Sequence, residues 1–230
     1  TENGGFASNT PAYGKDKSYI KSNTTLTLDD KSKQQKIRLH NLYSGLMQDD
    51  IEQALKTQPE DKIQEMVNAK FSFPSYSVTN YNYKHTGSQM LPAVEEDVEA
   101  IVSGIVSSTQ KRTFVNIAWM KNPMTEIFQT EPRTLPFVLK ESFKVIDSVK
   151  IDLPPGTEIE AMPQAANLKY PFAEYRIRFE RSGDRVSMIR EYVQNEGVYE
   201  AADFEKYQQL YRTINAEKDK LSIVPLNKAP

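Results

Sequence analysis

A period of two in the apolar side chains, broken by short turns, constrains this chain more than any other feature. It is clearest in DSVKIDLPPGTEIEAMP, residues 147–163. Val149, Ile151 and Leu153 share one face, alternation stops at Pro154-Pro155-Gly156, and Ile159 with Ala161 define a second face. Proline lacks an amide donor and glycine turns sharply, so the stretch reads as a strand corner between paired sheets.

The same period recurs along the chain. TTLTLDD places Leu26 and Leu28 on one face, and KIRLHNLYS sets Ile37, Leu39 and Asn41 against Arg38, His40 and Leu42, which predicts a hairpin beginning near Asn23. Two short helices follow. Asp49 or Asp50 is a candidate N-cap for the first, with Ile51, Ala54 and Leu55 facing inward; Pro59 opens the second, with Ile63, Met66 and Val67 inward. FSFPSYSVTNYNYKH predicts a long strand with Tyr81 and Tyr83 on one parity and Tyr76 and Val78 on the other, Pro74 marking a bend or edge. VEAIVSGIV and RTFVNIAW predict further strands, with Gly104 as a bulge position. Phe204, Tyr207, Tyr211 and Ile214 repeat at helical spacing and predict an amphipathic helix from about Ala202 to Ala216.

These elements predict a mainly β, α+β protein of two antiparallel sandwich-like domains with a few short helices: a linker over 1–20, a first domain over 21–130 and a second over 131–230. An internal echo has two readings, a structural repeat or the commonness of a hairpin followed by a helix. Residues 25–55 and 175–210 share an order of strand, polar turn, strand, glycine-containing link and helix, although their identity is poor.

Composition excludes several functions. The chain has no cysteine, which removes disulfides, thiolate zinc sites and a cysteine nucleophile. Its 29 basic and 31 acidic residues nearly balance, so no net field draws it to nucleic acid or an anionic membrane. No apolar run is long enough for a membrane span. Thr1 replaces an initiator methionine, as expected of a mature or excised fragment. His40 and His85 are the only histidines and have no Gly-x-Ser-x-Gly elbow beside them; they read as solvated strand residues. Glu95-Glu96-Asp97 offers two carboxylates for glycosidase chemistry, or the acidic edge of a soluble strand. The Asp29-Asp30 turn lacks a calcium-loop series. No catalytic residue, metal site or cofactor is predicted. Tyr76, Tyr81 and Tyr83, beside Asn80 and Asn82, form either a glycan- or peptide-binding face or the cover of a sheet; Trp119 reads as core.

Several segments together resemble the C-terminal region of Bacteroidetes transglutaminase-like envelope proteins: ENGGFASNTPAY, TTLTLDD with YSGL, KRTFVNIAWMKNP, LPFVLKESFKVIDSVKIDLPPGTEIEAMP, FAEYRIRFE and EGVYEAADFEKYQQLYRTINAEKDKLSIV. The resemblance implies a β-rich domain of unknown function following a transglutaminase-like core. It implies export to the periplasm, and a partner that is the upstream core or another envelope protein. The core's Cys, His and Asp triad has no counterpart here, so the implied role is accessory and non-catalytic.

Overall fold

The computed structural model describes residues 13–29, 31–110, 112–126, 132–218 and 221–226. The first half holds β1 (Tyr19–Thr27), β2 (Gln34–Ser44), α1 (Asp49–Thr57), α2 (Glu60–Asn68), β3 (Ser75–Ser88), β4 (Leu91–Ser103), β5 (Val106–Ser108) and β6 (Thr113–Asn116). The second holds β7 (Phe137–Leu139), β8 (Phe143–Asp152), β9 (Glu158–Ala161), β10 (Ala166–Lys169), β11 (Ala173–Ser182), β12 (Arg185–Gln194), β13 (Gly197–Tyr199), α3 (Phe204–Lys218) and β14 (Ser222–Leu226). The protein is mainly β with short helices, as the alternation implies.

Three sheets form, and they do not divide as two separate sandwiches. Eight strands lie in the order β10-β11-β12-β8-β1-β2-β4-β3, beside a four-stranded sheet β5-β6-β14-β9 and a ribbon β13-β7. The large sheet takes strands from both halves because β1 pairs antiparallel with β2 on one side and parallel with β8 on the other, from Tyr19 opposite Lys144 to Thr27 opposite Asp152. A parallel pair between segments more than a hundred residues apart leaves no hairpin signal in sequence. β1 also starts before Asn23, within the expected linker; the linker's first twelve residues lie outside the described residues.

Local expectations hold where the period is clean. Leu26, Leu28, Ile37, Leu39 and Asn41 are buried, and so are Phe204, Tyr207, Leu210 and Ile214 of α3. The aromatic face of α3 meets Phe137 of β7 and Phe172 just before β11, with Phe204–Phe137 centroids 5.4 Å apart and Tyr207–Phe172 centroids 5.7 Å apart. The Pro-Pro-Gly corner carries the chain from β8 in the large sheet to β9 in the small one. Gly156 takes φ +69° there, and its amide donates to Asp184 Oδ1 at 2.9 Å. The segments that echo one another form hairpins β1-β2 and β11-β12, the first followed by α1 and the second by β13 and then α3, and β1-β2-β4 and β11-β12-β8 are both antiparallel triplets within the sheet.

Two local details differ from expectation. α1 is preceded by a 3-10 turn, and Gln48 occupies its N-cap with no side-chain bond; Asp49 and Asp50 fall in the first turn, where their charges favour the helix dipole. In β3 a bulge between Val78 and Asn80 resets the alternation. Tyr76, Val78, Tyr81 and Tyr83 therefore share one face, packed on the core, and the two predicted parities merge.

Leu26, on β1, is wholly buried between strands of both halves. Leu26→Ala is expected to cost about 3 kcal/mol. Urea unfolding followed by Trp119 fluorescence and by far-UV circular dichroism should shift together; two separated transitions would show that the halves unfold independently.

Candidate functional site

A polar row crosses the buried face of the large sheet. Its register runs Arg190 on β12, Asp147 on β8, Ser22 on β1, Asn41 on β2, Glu96 on β4 and Tyr83 on β3, each opposite the next. The flanking rows are largely apolar: Met188, Val149, Leu39 and Val98 on one side, Tyr192, Val145, Ile20, Tyr43 and Val94 on the other. Six consecutive polar positions inside such a face cost desolvation, so each has to be paired or used.

At the first-half end, Glu96 is fully buried and accepts four donors. Lys70 Nζ reaches Oε1 at 2.5 Å and Tyr83 donates to the same oxygen; Asn41 Nδ2 and the Tyr43 hydroxyl reach Oε2 at 2.8 Å each. The Lys70 ammonium also lies 5.0 Å and 5.3 Å from the ring centroids of Tyr43 and Tyr83, within cation–π range. α2 delivers Lys70 to this point from just past its C-terminus. Burial alone raises the Glu96 pKa, but the Lys70 charge and the hydrogen bonds outweigh it and hold the carboxyl below its ordinary value. Burial and the adjacent carboxylate push Tyr43 and Tyr83 up, so both stay protonated donors.

At the second-half end, Arg190 Nε lies 2.8 Å from Asp147 Oδ2, and both side chains are largely buried. Arg190 also donates to the Lys121 carbonyl at 2.9 Å, which fixes the loop after β6. Between the two ion pairs the covering layer parts. A cleft of about 430 Å³ opens there, with Ile20, Ser22, Thr24, Asn41, Val145 and Asp147 in its floor, and Lys70-Phe71 and residues 119–123 among its lining. The two rims touch: Trp119 and Phe73 rings lie 5.3 Å apart, and Lys121 Nζ donates to the Ala69 carbonyl at 2.5 Å. The volume lies in the range of small-molecule sites.

The sequence-predicted tyrosines are not among the residues lining the cleft, and each is hydrogen-bonded within the chain. Tyr83 is committed to Glu96, Tyr76 donates to the Asn68 carbonyl, and Tyr81 donates to Glu60 of α2. Trp119 is buried, as expected, yet it also lines the cleft. The acidic cluster divides between faces: β4 is an interior strand, not an edge, and Glu96 points inward while Asp97 is exposed and meets His40 at 2.8 Å. His85 meets Glu52 at 2.7 Å. Both histidines are exposed and paired with carboxylates. Among the described residues no group of three or more His, Asp or Glu side chains could hold a metal ion. Without a cysteine there is no cysteine-based triad.

Sequence reasoning names Glu96 only within the Glu95-Glu96-Asp97 cluster, and misses its burial along with Asp147 and Arg190. A signal was present: each breaks an apolar parity, Glu96 between Val94 and Val98, Asp147 between Val145 and Val149, Arg190 between Met188 and Tyr192.

Residues 111–224 match a family described as a domain of unknown function with a solved structure, DUF3858. No curated protein matches the chain. The matched segment holds Trp119, Lys121, Asp147 and Arg190, whereas Ser22, Asn41, Lys70 and Glu96 precede it. Among the described residues no helix is long and apolar enough to cross a membrane.

Lys70→Met leaves Glu96 buried without its cation and is expected to lose about 3–5 kcal/mol at neutral pH. The sign with pH follows from the depressed Glu96 pKa. In the unsubstituted protein its contribution is full above the ordinary carboxylate range and fades as pH falls through the lower folded value. The difference between variant and parent should therefore shrink on acidification, measured by urea denaturation over a pH series; a constant difference would contradict it.

Proposed function

We propose that this chain is a non-catalytic interaction region of an exported, periplasmic transglutaminase-like protein, and that it packs against the catalytic core of that protein. The resemblance described above suggests the partner, and the absence of cysteine supports a role in holding or presenting a substrate-handling domain. The observation that carries the reading is an exposed apolar ribbon. Val138 of β7 and Val198 of β13 stand directly opposite one another, 57% and 72% exposed, with Leu135 close along the chain and 71% exposed. Isolated apolar residues on a surface are ordinary, but a cross-strand pair with a neighbour makes a patch that a partner would cover.

The place of the ribbon supports the same partner. The N-terminal segment enters the fold near it: Lys15 Nζ lies 3.2 Å from Asn195 Oδ1, two residues before β13, and the amide of Lys144, the second residue of β8, donates to the Ser18 carbonyl at 3.0 Å. A core joined ahead of this segment would be tethered next to the patch, where a modest apolar contact suffices because the effective concentration is high. On this reading the core covers Val138 and Val198 and the rest of the domain fixes its orientation.

The test is association with the separately expressed core. Co-elution in size-exclusion chromatography is expected for the unsubstituted chain. Val138→Asp with Val198→Lys should weaken it by roughly tenfold or more, while leaving the circular dichroism spectrum unchanged because both side chains are exposed. Absence of association, or association indifferent to both substitutions, would rule out this interface.

A further inference from the structure

The floor of the cleft between the two ion pairs is the middle of a sheet, so the polar atoms it offers are side-chain atoms. β12, β8, β1 and β2 are interior strands, and their main-chain amides and carbonyls are spent on the ladder. Asn41 Oδ1 and Trp119 Nε1 lack partners but are sealed from solvent, and Lys121 already donates to the Ala69 carbonyl, so recognition falls to other groups. Thr24, Asp147 and Arg190 line the cleft and are each more than nine-tenths buried, with half-buried Ser22 among them. Among the described residues the Ser22 and Thr24 hydroxyls bond to no protein atom, and Asp147 Oδ1 and Arg190 Nη1 stand outside the bonds that join Asp147 Oδ2 to Nε and Nη2. None of these four atoms is sealed, and the surface they keep opens into the cleft. Polar atoms on such buried residues are ordinarily paired, so the set favours an occupant that pairs them.

The four positions form an L. Arg190, Asp147 and Ser22 stand opposite one another on three neighbouring strands, spanning about 10 Å, and Thr24 lies two residues along β1 from Ser22, about 7 Å away. Their chemistry is mixed: a carboxylate oxygen only accepts, a guanidinium nitrogen only donates, and a hydroxyl does both. Charge is closed within the protein, Lys70 on Glu96 and Arg190 on Asp147, so an ion on the floor would be buried without a counter-charge. Phe71, Met120, Phe143 and Val145 supply apolar wall.

We propose that this cleft binds a neutral sugar ring through Ser22, Thr24, Asp147 and Arg190. Ring hydroxyls donate to Asp147 Oδ1, accept from Arg190 Nη1 and do either with Ser22 and Thr24, while the C–H face of the ring lies on the apolar wall. A peptide fits less well, because extended peptides are held by main-chain groups at a sheet edge and this floor has none to offer. The site takes Ser22 and Thr24 from the first half of the chain and Asp147 and Arg190 from the second, so the matched family segment holds only part of it. It exists only in the protein with β1 and β8 paired. Neither Tyr76, Tyr81 and Tyr83 nor the core-binding ribbon contributes to it.

Trp119 is the sole tryptophan of the chain and lines the cleft, so its emission reports occupancy there. The probes are the methyl glycosides of glucose, galactose, mannose and N-acetylglucosamine, titrated into the full chain at millimolar concentration. Glucuronate is the charged control and N-acetyl-leucinamide the amide control. At least one neutral glycoside should give a saturable change in emission that neither control gives. Ser22→Ala and Thr24→Val each remove one unpaired hydroxyl, so both should leave the circular dichroism spectrum unchanged. Each should weaken glycoside binding roughly fivefold, the loss of one hydrogen bond. No saturation by any of the glycosides, saturation by a control in their place, or glycoside binding indifferent to both substitutions would each overturn the assignment. Core association through the ribbon could persist in all three cases, so the two ideas fail separately.

Discussion

The parallel pairing of β1 with β8 is the contact on which the rest of the architecture depends. Every other neighbour relation in the large sheet joins strands from the same half of the chain and can be reached by local folding. This one cannot. It fuses two antiparallel triplets into a continuous eight-stranded surface, and backbone bonds extend it at both ends: Lys144 donates to Ser18, and Leu28 to Asp152 at 2.8 Å. Without it neither the polar row nor the cleft has a middle. Loop closure over such a separation precedes any gain from the contact, so this pair carries the largest chain-entropy cost in the sheet.

Much of the fold was legible because half-buried strands write their orientation into alternate residues. The burial of Ile37, Leu39 and Asn41, the aromatic stripe of α3 and the corner at Pro154-Pro155-Gly156 all follow from spacing alone. Three things were not legible in that way. A parallel partner has no fixed distance in sequence, so β1 and β8 each read as a strand of its own unit. A bulge adds one residue to a strand and inverts parity beyond it, so the tyrosines of β3 were divided between faces they in fact share. And a charge inside an apolar parity was read as solvent-facing, although Glu96 is balanced by a lysine delivered from a helix that lies far away in sequence.

The candidate site has the same distributed character. The matched family segment contributes the 119–123 loop and the Arg190–Asp147 pair; the preceding half contributes Glu96 with its four donors and the Asn41 side chain. Each half buries one ion pair, and the pairs stand at opposite ends of one row. Removing either partner of a buried pair leaves a stranded charge, so the row resists partial opening. The cleft lies between two stiff ends, over the strands that join the halves. The buried charged groups at either end hold each other in place.

The bulge in β3 also shapes the margin of the large sheet. β3 is fourteen residues long and forms one margin of the large sheet, with a line of main-chain amides and carbonyls open to any second extended chain. A straight margin of that length would template strand addition from another copy. The extra residue at Val78–Asn80 kinks the line partway along, and its register shift leaves no uniform rail on which a flat strand can zip. The same irregularity that brings the tyrosines onto one face thus also interrupts the straight run of this margin.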